Sequence, residues 1–244
     1  MLIALIADVH GNALALDACL AQAQKLGVER YVFLGDLVGY GAEPNQVVNR
    51  VRGIGGAIAV LGNHDHAVTA RGERMNAAAT TAIIWTRRQL GEKAKTWLAA
   101  LPLSVRDDDR LYVHASADHP RNWPYVLIGE EARASFAATD AAITFVGHVH
   151  VPALYCLSET AKLIAHQPPA NVALPLSPQR RWLAVIGSCG QPRDSNPSAA
   201  FATYETTTRN LTYRRAPYDA EEACARIRAA GLPDVLAVRL LVGR

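Results

Sequence analysis

Five places in the chain put oxygen or imidazole donors directly after a short apolar run. Asp8 and His10 follow LIALIA, Asp36 follows YVFLG, and Asn63, His64 and Asp65 follow AIAVLG; His114 follows RLYV, and His148 and His150 follow AAITFVG. Ligands of open α/β sheets bind at the carboxyl ends of the strands, so these endings describe one candidate site. Singly, each has an ordinary structural use: an aspartate after a strand caps or turns, Asn63 after Gly62 makes a turn, and a lone histidine such as His114 sits satisfied in a core. Jointly, coincidence explains them poorly. Gly35, Gly62 and Gly147 stand just before donors, where a tight turn or a close backbone approach is useful. His148 and His150 are two residues apart, and alternate side chains of an extended backbone share a face, so both are expected to face one site.

Asp8, His10, Asp36, Asn63, His114, His148 and His150 are too many donors for one ion, since structural zinc takes four ligands and catalytic zinc typically three from protein. They suit two ions that share a carboxylate. Mixed imidazole and oxygen ligation favours manganese, iron, zinc, cobalt or nickel over magnesium or calcium. Two such ions, roughly 3.5–4 Å apart, can clamp a phosphoryl group, lower the pKa of a bridging water and hold attack in line.

The elements that must position these donors alternate in the first half. After the first strand, Leu16, Cys19, Leu20 and Ala23 recur at helical spacing, with Asn12 as a cap. Strands YVFLG and AIAVLG are each followed by helical segments, near 44–53 and then near 77–90 and 92–101, the last pair separated by Gly91 and stopped by Pro102. Later segments read as strands: LSV and RLYVH around RDDD, ALYCL and AKLIA around SET, then WLAVIG, AAFATYE and LTYRRA. A helix near 129–138 interrupts them. A final helix opens with Asp219 and Glu222 at capping-box spacing and ends at Gly231. The tail LPDVLAVRLLVG either finishes the core or contacts a partner. With no repeats or clear linker, one domain over 1–244 is expected, βαβ units first and mostly antiparallel strands later.

Composition narrows the function class. Half of the residues are hydrophobic and 19% are charged, as in ordinary globular proteins. A net charge of +3 with scattered arginines gives no nucleic-acid stripe. Cys19, Cys156, Cys189 and Cys224 form no Cys-x-x-Cys pair, so neither a thiolate metal site nor disulfides are expected, and a reducing cytoplasm is the default. The N-terminal apolar run breaks at Asp8, too short for a signal peptide or a membrane span.

Taken as a set and in this order, Asp8-Val9-His10, Gly35-Asp36-Leu37-Val38-Gly39, Gly62-Asn63-His64-Asp65, His114 and Gly147-His148-Val149-His150 resemble the motifs of the calcineurin-like metallophosphoesterase superfamily. GQPRDSNPSAAFATYE, residues 190–205, is similar to a late segment of its small bacterial members. The resemblance implies a four-layer α-β-β-α sandwich of two mixed β-sheets flanked by helices. It implies two divalent metal ions, manganese foremost: Asp8, His10 and His150 on the first, Asn63, His114 and His148 on the second, Asp36 bridging. It implies that a metal-bridging hydroxide attacks phosphorus in line. His64 would protonate the leaving oxygen or stabilise its charge, and Asp65 would orient that imidazole.

The sequence departs from the pattern of the protein phosphatases and symmetrical diadenosine tetraphosphatases, which carry Asp-Arg-Gly after Gly-Asp; here Tyr40 stands in that stretch. Phosphodiesters or nucleotides are therefore expected as substrates ahead of phosphoproteins. Arg193 is a candidate phosphate clamp, with a structural role beside Asp194 as the alternative. Asn12 and Tyr40 are further substrate-binding candidates, against helix capping and loop packing respectively. The turn-rich, aromatic segment 115–125 is a candidate substrate-shaping loop, with Trp123 its most notable residue. His66, His119 and His166 fit no motif. Two other function classes compete. A scaffold on the same fold would usually have lost ligands, and none of the seven is missing; a dinuclear C–O or C–N hydrolase would present a clustered His-x-His-x-Asp-His run, which is absent.

Overall fold

The computed structural model describes residues 1–70 and 75–244. Its first strands are β1 (Leu2–Ile6), β2 (Arg30–Phe33) and β3 (Ile58–Ala59). They are parallel neighbours and are joined by helices α1 (Ala13–Lys25) and α2 (Pro44–Gly53). The helices α3 (Asn63–Thr69), α4 (Ala77–Gln89) and α5 (Glu92–Ala99) follow. Next come β4 (Ser104–Asp107), β5 (Arg110–Val113), α6 (Gly129–Ala137) and β6 (Ile143–Val146). The remaining strands are β7 (Ala153–Ser158), β8 (Leu163–His166), β9 (Ala173–Pro175), β10 (Arg180–Val185), β11 (Ala199–Glu205) and β12 (Asn210–Ala216). Helices α7 (Ala220–Ala229) and α8 (Asp234–Val242) close the described chain.

Two mixed six-stranded sheets result, ordered β3-β2-β1-β11-β12-β9 and β4-β5-β6-β10-β7-β8. Strand alternation sorts the apolar residues between layers. Ile3 and Leu5 face the second sheet, where they join Tyr112, Ile143, Phe145 and Ala184 in a buried cluster between the sheets. Ala4 and Ile6 face outward, under the helices, with Leu16, Cys19, Val47 and Leu98. On the other outer face, Ala132 and Phe136 of α6 cover Val146, Leu183 and Val185. This is the α-β-β-α sandwich that the motifs imply. Each fully buried aliphatic or aromatic side chain contributes about 1.5–3 kcal/mol, so the sheet pair is a rigid base for what its strand ends carry.

Local expectations and structure differ in several places. Only Ile58–Ala59 of the expected strand 57–62 pairs with a neighbour. The residues after it begin a helix, α3, where a turn was expected. The tail 232–243 holds α8, which starts after Pro233 and ends at Gly243 in the left-handed conformation, so Leu236, Ala237 and Leu240 pack on α7. Strand β9, at the sheet edge, had no signal of its own: Ala173–Pro175 is three residues and contains the proline. Asp219 caps α7 by accepting from the Glu222 amide at 2.8 Å, while the Glu222 carboxylate turns to Arg226.

Candidate metal centre

The donors meet where the carboxyl ends of both sheets' central strands come together. Backbone bonds stitch these ends. Asp8 N donates to Gly35 O (3.1 Å), His10 N to Asp36 O (2.8 Å), Gly147 N to His114 O (2.8 Å) and Gly190 N to Asp8 O (2.9 Å). At the turns the backbone is strained: Asp8, His10, Asp36, His148 and His150 all have φ between 50° and 67°. Left-handed non-glycine residues cost of order 1–3 kcal/mol each and cluster where function over-determines them. His148 and His150 thus do not share a face by strand alternation; β6 ends at Val146 and both residues lie in left-handed turns. The turn brings them to one site but into different groups.

One group is Asp8, His10 and His150, and another is Asp36, His114 and His148, all buried, with the ligand atoms of each within 4.8 Å of one another. In the first, His10 Nε2 lies 3.0 Å from His150 Nε2, which is 3.4 Å from Asp8 Oδ1. In the second, His114 Nε2 lies 3.0 Å from Asn63 Oδ1 and 3.2 Å from His148 Nδ1. Asp36 Oδ2 stands between the groups, 3.7 Å from His10 Nε2 and 3.5 Å from His114 Nε2. A third overlapping group joins His64 to His10 and Asp36.

The far side of each imidazole fixes its orientation. His150 Nδ1 and His114 Nδ1 donate to Gln191 O and Leu34 O, both at 2.7 Å, and His10 Nδ1 faces Val38 O at 3.3 Å. A carbonyl only accepts, so the remaining nitrogen, Nε2, is turned inward as metal-binding histidines require. Two Nε2 lone pairs then face each other across 3.0 Å at His10 and His150, an arrangement that a cation relieves. The electrostatics point the same way. Burial opposes charge on His114, yet Asp36 and, less strongly, Asp8 outweigh it and raise its pKa to about 9. Burial works against Asp36 too, but the imidazoles of His114 and His64 hold its carboxyl well below the usual range. Burial, followed by the neighbouring His114, depresses His148 to about 2. Two buried carboxylates that draw positive charge, set among the His10, His64 and His148 imidazoles that burial holds below their usual pKa, fit a pair of divalent cations.

His64 is buried against this centre. Its ring centroid is 4.7 Å from that of His10 and 4.4 Å from that of Tyr40, and burial lowers its pKa to about 4. Asp65 does not orient it through Nδ1, which has no hydrogen-bond partner among the described residues. The Asp65 carboxylate accepts instead from Val38 N and Gly62 N, each at 3.1 Å, because it sits at the third position of α3 and caps that helix. Asp65 therefore ties the Gly35–Gly39 turn to the helix that carries Asn63 and His64. The His64 ring packs on Tyr40 and lies directly over Gly39, where a Cβ would come 2.4 Å from Nδ1, at φ +90°. Gly39→Ala is expected to displace the imidazole and lower kcat by about ten- to a hundredfold with metal content kept, because the candidate ligands are untouched. Elemental analysis and steady-state kinetics on the variant check this.

Gly62 makes the closest approach: a Cβ there would come within 2.2 Å of Asp36 Oδ1 and N. No side chain fits between α3 and the Asp36 carboxylate.

The substrate-binding candidates divide. Asn12 is a cap: its Oδ1 accepts from Ala15 N at 3.1 Å, and its Nδ2 donates to Gly190 O and Tyr218 OH at 3.0 and 3.3 Å. Both amide hydrogens are used, which leaves none for phosphate. Tyr40 is 6% exposed and packs its ring on His10 and His64. Arg193 does not pair with Asp194, which bonds Arg215. Arg193 is half-buried, lies over the Tyr40 ring at 5.9 Å, donates Nη2 to Gln191 Oε1 at 3.0 Å, and leaves Nε buried without a partner among the described residues. Two residues at the centre had not been singled out. Tyr125 stacks on His148 with centroids 4.0 Å apart, and Gln191 holds His150 through its carbonyl. Their signals were faint: a tyrosine closing an aromatic turn, and a glutamine two residues before Arg193.

A calcineurin-like phosphoesterase superfamily domain model matches residues 1–209. A solved metallophosphoesterase from Sphaerobacter thermophilus superimposes with a TM-score of 0.89 at 37% identity, covering 100% of this chain and 99% of that one. An uncharacterised protein of Methanocaldococcus jannaschii, MJ0912, is 32% identical over 100% of this chain and 98% of its own length. A symmetrical bis(5'-nucleosyl)-tetraphosphatase of Pectobacterium carotovorum is 36% identical over 49% of this chain and 44% of its own.

Proposed function

Since the chain belongs to the calcineurin-like phosphoesterase superfamily, we propose that it is a metal-dependent phosphoesterase with a binuclear centre, acting on phosphodiesters or nucleotides. The observation that carries this is the pair of buried donor groups with Asp36 Oδ2 between them. Asp8, His10 and His150 would hold one divalent ion, and Asn63, His114 and His148 the other, with Asp36 shared. Manganese is the first choice, with iron, zinc, nickel or cobalt compatible with the same donors. When bound, two such cations supply Lewis acidity at phosphorus and acidify water for in-line attack.

The chain's own residues do the rest. His64, kept neutral by burial, presents an imidazole N–H to the charge that develops on the leaving oxygen. Tyr40 holds the His10 and His64 rings in place. Arg193 supplies the cationic grip on a non-bridging phosphate oxygen, in the place of the arginine that the Gly-Asp motif lacks here. Arg193→Ala is expected to raise KM for phosphate esters about ten- to a hundredfold with kcat little changed, as for one lost charge-assisted hydrogen bond of about 1.5–3 kcal/mol. An unchanged KM would leave Arg193 structural. The free, buried state of all four cysteines suits the reducing compartment proposed for it, the cytoplasm.

The test is manganese-supported hydrolysis of bis(p-nitrophenyl) phosphate and p-nitrophenyl phosphate, with and without chelator. Chelator-sensitive turnover that favours the diester supports the reading; turnover of neither ester rejects it. The competing reading is a non-catalytic scaffold on the same fold. It draws on the outer face of α8, where Val235, Val238, Leu241 and Val242 are each 41–47% exposed. The complete donor set favours catalysis over it.

A further inference from the structure

Next to the metal-ligand histidines lies an aromatic pair that the phosphoester chemistry does not use. Trp123 and Tyr125 come from the turn-rich segment 115–125. The Tyr125 ring stacks on His148 with centroids 4.0 Å apart and planes at 22°, and the residue is 47% exposed, so its other face is open. The Trp123 ring meets the edge of His114 at 5.9 Å. Its indole Nε1 is buried and has no hydrogen-bond partner among the described residues. A buried indole N–H left unmade is costly and asks for an acceptor. The backbone is forced to put the ring there: Trp123 has φ 52° and His119 φ 43°, values that bulky residues rarely adopt.

The segment is also anchored. Ala117 N donates to Ser135 Oγ of α6 at 3.1 Å, and Asp118 N to Ser116 Oγ at 3.1 Å. Beyond Tyr125, Leu127 N and Ile128 N both donate to Glu131 Oε2, and Tyr155 OH donates to Leu127 O. A loop tied at both ends presents its aromatics pre-organised, which lowers the cost of binding.

From this juxtaposition we infer that Trp123 and Tyr125 form a subsite for the planar heteroaromatic group of a nucleotide, with Tyr125 as the stacking platform and Trp123 Nε1 as hydrogen-bond donor. A purely hydrocarbon ring would stack but offer the indole no acceptor; a nucleobase offers ring nitrogens and carbonyls. The platform rests on a histidine of the metal centre, so the stacked group lies within a sugar's reach of the phosphate. The inference rests on the phosphoesterase reading and specifies its substrate class.

The experiment is calorimetric titration of the manganese-loaded protein with AMP and with ribose 5-phosphate, which share a phosphomonoester and differ by the base. AMP is expected to bind about tenfold tighter or more, the size of one base–aromatic stack. Tyr125→Ala should abolish that preference by weakening AMP more than ribose 5-phosphate, while Tyr125→Phe retains it. Trp123→Phe, which keeps a ring and removes the N–H, should reduce the preference several-fold. Equal affinities in the unaltered protein would overturn the inference. So would Tyr125→Ala weakening both ligands alike, since Tyr125 would then merely support His148. If neither ligand binds and no ester is turned over, the phosphoesterase reading itself has failed; intact ester hydrolysis with equal affinities removes the base subsite alone.

Discussion

Asp36→Asn is expected to lose both metal ions and nearly all turnover. Among the described residues Asp36 is the one carboxylate whose ligand atom falls in a group on each side, with Oδ2 3.7 Å from His10 Nε2 and 3.5 Å from His114 Nε2. Its Oδ1 accepts from His64 N at 2.8 Å, so the carboxylate also fixes the start of α3. The amide has the same shape but no charge, and it can turn N–H hydrogens toward the centre where lone pairs are needed. The site would lose the charge that now raises His114 to about 9. Metal content should fall from about two equivalents to below one. Turnover should fall at least about a thousandfold, as for roughly 4 kcal/mol of lost transition-state stabilisation. Circular dichroism should stay unchanged, because the substitution is isosteric. Normal metal content in the variant would mean that Asp36 does not bridge.

His64→Ala is expected to separate binding from chemistry. Both ions should remain and kcat should drop about a hundred- to a thousandfold, the range for losing one pre-organised hydrogen-bond donor to developing charge. The ring lies within reach of His10 and Asp36, so the rival assignment makes it a ligand. Metal content decides: retained ions with lost turnover place His64 on the leaving group, and lost ions place it on the metal. Full activity would remove it from the mechanism altogether. Burial sets its pKa at about 4, so at neutral pH it donates from the neutral ring, and no loss of rate from deprotonation of His64 is expected between pH 6 and 8.

The strand ends were legible in the sequence because burial on both faces writes a continuous apolar run, and a donor that breaks such a run stands out. The α-β-β-α layering followed from the motifs that these ends compose. How the donors converge was less legible. The expectation that His148 and His150 share a face assumed extended backbone, whereas both are left-handed, and only tertiary bonds such as His148 N to Asp8 Oδ2 at 2.9 Å hold them so. Helix α3 was missed because its Asn-His-Asp start resembles a turn; the helix is seven residues long, and its cap is closed by Asp65. That cap is also why Asp65 does not serve His64 at Nδ1. Asn12 was read both as cap and as phosphate donor, and the neighbours that decide the matter, Gly190 and Tyr218, are distant in sequence. Tyr125 could not be chosen from its segment without knowing that His148 lies beneath it.

The central claim is a pair of ions that share Asp36. Manganese titration of chelator-treated protein, with elemental analysis and electron paramagnetic resonance on the loaded sample, tests it most directly. Two equivalents per chain with the spectrum of a magnetically coupled pair is the predicted result, since a shared carboxylate holds two such ions roughly 3.5–4 Å apart. One equivalent with an isolated-ion spectrum, or none, would contradict the account.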